Sequence, residues 1–465
     1  MRPIINFGQL TNMLRPHDEQ AIAALASGSG PGAVGVIRVS GHNACQLVSS
    51  CFLNSDSTLK PRQASLRQLI DPQTREVLDE VVVIFFKGPK SFTGQDTVEI
   101  FCHGGPYIIQ RILQVVYALG VRPAQPGEFT KRALLNGKLD ITSAEGLKEL
   151  IECQSRQQWM AGRQLYQGKL RDEIESLRRE VIGALAYLEA MIDFPDEGDT
   201  QHVQLAHVKQ RVEAVLKLIA NLSSTFTSGK VASRGLMVAL VGAPNAGKST
   251  LLNNFLGKQR AIVSERAGTT RDYLEESCLL DGRLIRLVDT AGIRETDDVI
   301  EQDGVALSKY ILSEADVVVL LQAADSDPDE LSAINAVVAS ANKSIISVIS
   351  KSDLGIPTWA KGRLPISCKT GFGLDDLKNK LIQIVDKATG SIEERPFITS
   401  SRQAAALEAA EESLKKFRLA AQSSAGHEML AFELLEAARS LASIVGDISN
   451  DDVLDSIFKE FCIGK

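Results

Sequence analysis

The sequence predicts a multidomain chain of α+β and α/β parts, with a doubly wound nucleotide domain inserted into a helical domain. Three observations predict it. Gly242-Ala243-Pro244-Asn245-Ala246-Gly247-Lys248-Ser249-Thr250 joins an apolar strand, Leu236 to Val241, to a stretch of helical character from Ser249 to Leu256. Strand, glycine loop and helix in that order are what a phosphate cradle needs. Further apolar runs at 283–288, 316–321 and 344–349 alternate with helical segments, the signature of an open parallel sheet. Apolar residues at three/four spacing lie on both sides of this block, within 128–230 and 390–465, and that period is helical.

Residues 1–127 read as an α+β domain. Its strands are Ala33 to Val39, Val81 to Phe86 and Thr97 to Cys102, and a helix over Tyr107 to Leu119 follows the turn His103-Gly104-Gly105-Pro106. In the next segment Leu170, Ile174, Leu177, Val181, Leu185, Leu188 and Ile192 form one stripe of a long amphipathic helix. Proline ends it at Asp193-Phe194-Pro195-Asp196. A second helix runs to about Phe226, and a polar turn, Thr227-Ser228-Gly229, leads into the nucleotide domain at 231–389. Beyond Pro396, Leu430, Leu434, Ala438 and Leu441 make one apolar stripe, and Val453, Leu454, Ile457, Phe458 and Phe461 another.

Composition narrows the class. A net charge of −7 argues against a wholly basic nucleic-acid binder, though not against a local RNA contact. The seven cysteines are scattered and lack a C-x-x-C pair, which points to a reducing compartment without a disulfide framework or zinc site. No run reaches the roughly 18 apolar residues of a membrane span, and no apolar core follows Arg2 or Arg15 as in a secretory signal. A cytoplasmic location is expected.

In the cradle, backbone N–H groups of Asn245, Ala246 and Gly247 turn toward phosphates, Lys248 adds a point charge, and Ser249, followed by Thr250, offers a hydroxyl to Mg²⁺. Asp289-Thr290-Ala291-Gly292 follows the 283–288 strand. Asp289 can hold the Mg²⁺ shell through water, and the Gly292 N–H can sense a γ-phosphate. Between these motifs, Ala267-Gly268-Thr269-Thr270 has the form of a switch loop; in isolation the threonine pair would be a turn. Guanine reading falls to Ser350-Lys351-Ser352-Asp353 and Ser367-Cys368-Lys369. Asp353 can accept from N1 and N2 of guanine, and Lys351 can cover the base. Ser350 stands where an asparagine is usual, so an amide that bonds the base and ties loops together is expected to be lost, at about 1–3 kcal/mol. Ile293 follows Gly292 and cannot orient water, so another group must do so. Asn245 offers a neutral oxygen for a monovalent cation beside the phosphates.

These motifs, with both ends of the chain, resemble the MnmE (TrmE) family of tRNA-modification GTPases. The resemblance rests on Gly35-Val36-Ile37-Arg38-Val39-Ser40-Gly41, Ser91-Phe92-Thr93-Gly94-Gln95-Asp96 and Pro126-Gly127-Glu128-Phe129-Thr130. It continues through Arg132 to Asp140 and Asp193 to Glu197, and ends on Phe461-Cys462-Ile463-Gly464-Lys465. It implies an N-terminal folate-binding-like α+β domain that pairs two copies into a homodimer and takes 5-formyl-tetrahydrofolate or a related donor. Arg38, Glu99, Lys138 and Lys465 match the folate positions; by themselves Arg38 and Lys138 read as solvated charges and Glu99 as a strand-edge charge.

For the GTPase, the resemblance implies K⁺ stimulation and activation by G-domain dimerisation. It extends the GTP-contacting stretch to Ser264, Glu265 and Arg266, with Asn245, Ser264, Arg266 and Thr269 as K⁺ ligands and Ser249 and Thr270 as Mg²⁺ ligands. Glu301 matches the water-orienting glutamate. Cys462 matches a cysteine needed for modification but not for hydrolysis; by itself it reads as a buried apolar residue. The implied reaction, with an FAD-dependent MnmG (GidA)-type partner, adds an aminomethyl or carboxymethylaminomethyl group at C5 of the wobble uridine of tRNA, FAD residing on the partner. The rival reading is a GTP-dependent switch in RNA or ribosome assembly, without covalent chemistry.

Overall fold

A computed structural model describes residues 20–28, 30–53, 59–193, 198–259, 275–289, 311–326, 343–390, 395–423 and 426–446, together with 458, 461 and 464. The chain forms two compact units, the first of Met1–Ala144 with Ala442–Lys465 and the second of Glu145–Leu441.

In the first unit, β1 (Ile22–Leu25), β2 (Val34–Ser40), β3 (Ala64–Ile70), β4 (Val77–Phe86), β5 (Thr97–His103) and β6 (Arg122–Pro123) form a sheet of order β3-β4-β5-β2-β1-β6. Only the β1–β6 pairing is parallel. Strand alternation divides its residues between two faces. Ile37, Val39, Val81, Val83, Val98 and Ile100 are buried beneath α1 (Ala44–Ser49) and α2 (Pro106–Ala118), which contribute Val48, Ile109, Ile112 and Val116. Proline at the first position of α2 spares a helix-start N–H that would have no partner. The opposite face places Leu66, Val82, Phe101 and Val36 side by side in register across four strands.

Helix α3 (Glu128–Leu135) begins after Gly127, whose left-handed backbone (φ 67°) a side chain could not join, since a Cβ would lie 2.8 Å from the Phe458 carbonyl. Phe458 and Phe461 pack there with Ile141 and Ala144. The rest of their expected stripe, Val453 to Ile457, lies outside the described residues.

The second unit holds most of α4 (Ile141–Glu152), then α5 (Arg156–Tyr166), α6 (Lys169–Asp193), α7 (Gly198–Ser223) and α8 (Phe226–Arg234). Of the expected stripe of α6, Leu170, Ile174, Leu177, Val181 and Leu188 are buried, whereas Leu185 and Ile192 are half-buried and Ala184 and Met191 face the core beside them. One expectation is corrected: Thr227-Ser228-Gly229 is not a turn but part of α8. Gly229 lets that helix approach Ile398, whose carbonyl would stand 2.1 Å from an added Cβ, and Ala232 packs with Ala161 and Phe397. Tertiary burial overrides the local turn preference.

The nucleotide domain follows with β7 (Leu236–Gly242), α9 (Lys248–Gln259), β8 (Glu275–Leu280), β9 (Arg283–Asp289), β10 (Val317–Ala323), β11 (Ser344–Ser350), β12 (Leu364–Pro365) and α10 (Leu374–Thr389). The sheet order is β12-β11-β10-β7-β9-β8, parallel except for β8. Every residue of β10 is buried, as are the first six of β7, which explains why both read as unbroken apolar runs. Helix α11 (Ser401–Gln422) and most of α12 (His427–Val445) close the unit. A capping box between Ser400 and Gln403 starts α11, and Lys209 on α7 donates to the Ala421 carbonyl at 2.9 Å. No helix among the described residues is long and apolar enough to cross a membrane.

Candidate nucleotide site

The site forms where β7 ends between β10 and β9, at the carboxyl edge of the sheet. Gly242 pairs with Leu321 of β10, and the Leu321 carbonyl would lie 2.3 Å from a Cβ at Gly242. The loop then turns through Asn245 (φ 62°) and Gly247 (φ 89°), both left-handed, and the Ala246 N–H closes the turn onto the Ala243 carbonyl at 3.2 Å. Lys248 is buried at the loop's close, and its ammonium donates to the carbonyls of Gly242 and Ala243, each at 2.8 Å. Ser249 Oγ donates to Asp289 Oδ2 at 2.9 Å, so the hydroxyl of one motif and the carboxylate of the other share one place. Two oxygen donors of this kind fit a hard divalent cation such as Mg²⁺.

On the base side, β11 ends at Ser350, which is buried and donates from Oγ to the Ala246 carbonyl at 2.6 Å. This corrects the expectation that serine here loses the tie between loops: the hydroxyl makes that tie. Lys351, left-handed at φ 55°, places its ammonium 3.1 Å from both carboxylate oxygens of Asp325. Asp353 Oδ1 accepts from Ser367 Oγ at 2.6 Å, and that bond holds the exposed carboxyl below its ordinary value. Asn254 on α9 donates to the Cys368 carbonyl at 3.3 Å, joining the cradle helix to the loop that carries Lys369. Burial pushes the Cys368 thiol up, and the Asp353 charge adds to it.

The structure thus brings together the expected residues at 245–250, 289, 350, 351, 353 and 367–369. Ser264 to Thr270, Thr290, Ala291, Gly292 and Glu301 lie outside the described residues. Sequence reasoning missed Asp325 and Asn254. Asp325 carried a signal, a carboxylate just past the carboxyl end of a buried strand; Asn254, one polar residue on a helix, carried none.

In the first unit, Arg38 and Glu99 face each other across β2 and β5. Arg38 Nε donates to Glu99 Oε1 at 2.9 Å, and the guanidinium lies 5.3 and 5.6 Å from the ring centres of Phe92 and Phe129. Lys138 donates to the Pro89 carbonyl at 3.0 Å. The two motifs noted around them are bonded together: Asn136 donates to the Thr93 carbonyl at 2.7 Å and Arg132 to Gln95 Oε1 at 3.0 Å. A buried ion cluster escaped the sequence reading. Glu128 accepts from both Arg122 and Arg132; burial pushes its carboxyl up, but the bonds from Arg122 and its neighbours outweigh this and hold it low. Cys462 and Lys465 lie outside the described residues.

A sheet parallel but for one edge strand, with this cradle, a bonded Ser249–Asp289 pair and Asp353 steadied by Ser367, has the architecture of a P-loop GTPase. Two family models divide the chain: "GTP-binding protein TrmE N-terminus" matches residues 21–138 and "MnmE helical domain" matches 141–462. The chain belongs to the MnmE (TrmE) family of tRNA modification GTPases. It is 37% identical over 459 residues to the tRNA modification GTPase MnmE of Natranaerobius thermophilus, covering 96% of this chain and 100% of that one. With the MnmE of Moorella thermoacetica it shares 39% over 469 residues, again covering 96% and 100%. Among solved structures, the G domain of the T. maritima FeoB iron transporter is similar at 26% identity, covering 32% of this chain and 97% of that one with a TM-score of 0.25.

Proposed function

We propose that this GTPase times a two-protein modification of tRNA, in which an aminomethyl or carboxymethylaminomethyl group is added at C5 of the wobble uridine. The partner in this reading is an FAD-dependent protein of the MnmG type, and the one-carbon unit comes from 5-formyl-tetrahydrofolate or a related folate. Arg38, Glu99, Lys138 and Lys465 hold the folate. The observation that carries this assignment is the Arg38–Glu99 pair, held at 2.9 Å and largely buried, with the guanidinium beside the rings of Phe92 and Phe129. A guanidinium suits a glutamyl carboxylate and a carboxylate suits the donor edge of a pterin. The folate, when bound, supplies a carbon at the formaldehyde or formate level; the chain's own residues bind and orient it.

At the nucleotide site, Ser249 and Thr270 ligate Mg²⁺, with Asp289 ordering the shell. Asn245, Ser264, Arg266 and Thr269 ligate K⁺, and Glu301 orients water when two G domains meet. Cys462 acts in the modification. The chain works as a cytoplasmic homodimer, and the apolar row on the first unit's sheet supports a second copy as the cover of that face.

Two assays test this reading. Hydrolysis of GTP in matched KCl and NaCl should be faster in KCl, and Glu301→Ala should remove the difference; equal rates in both salts would refute the K⁺ mechanism. Saturable binding of 5-formyl-tetrahydrofolate should be lost in Arg38→Ala; a chain that binds no folate would overturn the modification chemistry while leaving the GTPase intact.

A further inference from the structure

We infer that Ser350 is a positioning residue for the phosphate loop and gives no hydrogen bond to the base. The inference rests on the GTPase reading and concerns the last residue of β11. Ser350 is buried, and its Oγ lies 2.6 Å from the Ala246 carbonyl and 3.4 Å from that of Gln322. Both neighbours are acceptors, and a hydroxyl carries a single proton. That proton goes to the nearer carbonyl, so none remains for a purine.

The consequence for the loop follows from peptide geometry. Gly88–Pro89 is the only cis peptide among the described residues, so the Ala246–Gly247 peptide is trans and its C=O and N–H point in opposite directions. A carbonyl fixed on Ser350 directs the Gly247 N–H to the other side of the loop, where phosphate oxygens are received. Gly247 is the residue with φ 89°; a peptide flanking such a residue can flip unless something holds it. Ser350 holds it, from the strand whose end also begins the base-reading motif.

The consequence for the base is a division of labour. An asparagine amide at this position has two donor hydrogens and can serve the loop and the purine N7 together. The serine here serves the loop alone. Lys351 is engaged with Asp325, which leaves Asp353, steadied by Ser367, to read the N1 and N2 edge.

The test compares the unchanged chain with Ser350→Ala and Ser350→Thr, using titration with GDP, GTP and 7-deaza-GTP and the ³¹P resonance of bound GDP. Loss of one neutral hydrogen bond predicts that Ser350→Ala weakens GDP and GTP by roughly tenfold. The β-phosphate resonance should move with it, and Ser350→Thr, which keeps the hydroxyl, should restore both. The unchanged chain should bind 7-deaza-GTP within about twofold of GTP, because N7 receives no donor from Ser350. Nucleotide affinity in Ser350→Ala equal to the unchanged chain would overturn the proposal. So would weakened affinity with an unmoved β-phosphate resonance, which is the mark of general destabilisation. A penalty of about tenfold for 7-deaza-GTP in the unchanged chain would overturn its base half.

Discussion

Ser249 Oγ and Asp289 Oδ2 lie 2.9 Å apart across 40 residues of sequence. β9 brings Asp289 beside Leu240 of β7, just before the cradle, so adjacent parallel strands deliver both oxygens to one point. Asp289→Asn keeps the shape and removes the charge proposed to order the cation's shell. Losses of roughly 10–100-fold are usual for such supporting groups. GTP hydrolysis at limiting Mg²⁺ should fall by that factor and recover as Mg²⁺ is raised. A variant with an unchanged Mg²⁺ dependence would remove Asp289 from the metal site.

Two glycines of the cradle should fail in different ways. At Gly242 an added Cβ meets the Leu321 carbonyl at 2.3 Å, whereas at Gly247 the nearest atoms stand 3.9 Å away. Gly242→Ala therefore forces two central strands apart and should cost about 1–3 kcal/mol in urea unfolding, the range for overpacked cores. Gly247→Ala has room but not the backbone, because φ 89° disfavours a side chain. It should cost about 1 kcal/mol in unfolding, from backbone strain alone, while nucleotide binding is lost. The reverse pattern would contradict both assignments.

The sheet of the nucleotide domain was legible because its strands are buried on both faces and read as apolar runs. The strands that went unread are less plainly marked. β1 is Ile-Ala-Ala-Leu, with little β-branched signal, and β3 and β8 are edge strands in which Ser65, Arg67 and Gln68, and Glu275, Glu276 and Ser277, interrupt the apolar run. The motif residues of the site were legible because each belongs to a local pattern. Their cross-ties were not: Ser350 reaches Ala246 over 104 residues and Asn254 reaches Cys368 over 114, and no periodicity encodes such pairs. The Glu128 cluster was hidden likewise, since Arg132 also bonds the carbonyl of Gln20, 112 residues away.

Glu149 on α4 is a second group the sequence concealed, and it predicts a pH dependence. Its carboxylate accepts from Ser233 Oγ at 2.6 Å. Burial pushes its pKa up from 4.5 to about 7, with the neighbouring Glu145 charge adding and Ser233, Thr399 and Arg234 opposing. Between those two values the folded chain holds a proton that the unfolded chain has released, so this group's contribution to stability falls as pH rises and levels off above about 7. The full span is on the order of 3 kcal/mol. Glu149→Gln keeps an acceptor for Ser233 and removes the titration. The variant should gain about 1–3 kcal/mol over the unchanged chain at pH 8 and little at pH 5 in urea unfolding. A gain independent of pH would mean that Glu149 stays ionised.

The open face of the first unit's sheet predicts self-association. Leu66 and Val82 are 63% and 36% exposed, although each sits directly opposite an apolar neighbour in a row that continues through Phe101 to Val36. Charged residues on an exposed sheet face keep it single, yet this row has none; the row on one side contributes the Arg38–Glu99 pair, whose charges are already matched, and the row on the other contributes Gln68 and Glu80 at its rim. A face of that character is stable in water when a second apolar face covers it. Val82→Lys places an ammonium in the middle of the row. It points away from the core, so the first unit should fold as before, by circular dichroism. Sedimentation should then show the mass fall from two chains to one. Because Arg38 and Glu99 lie one row further along the same face, folate affinity should fall in the same variant. A dimer that survives Val82→Lys with unaltered folate binding would place the subunit contact elsewhere and leave this row without its proposed cover.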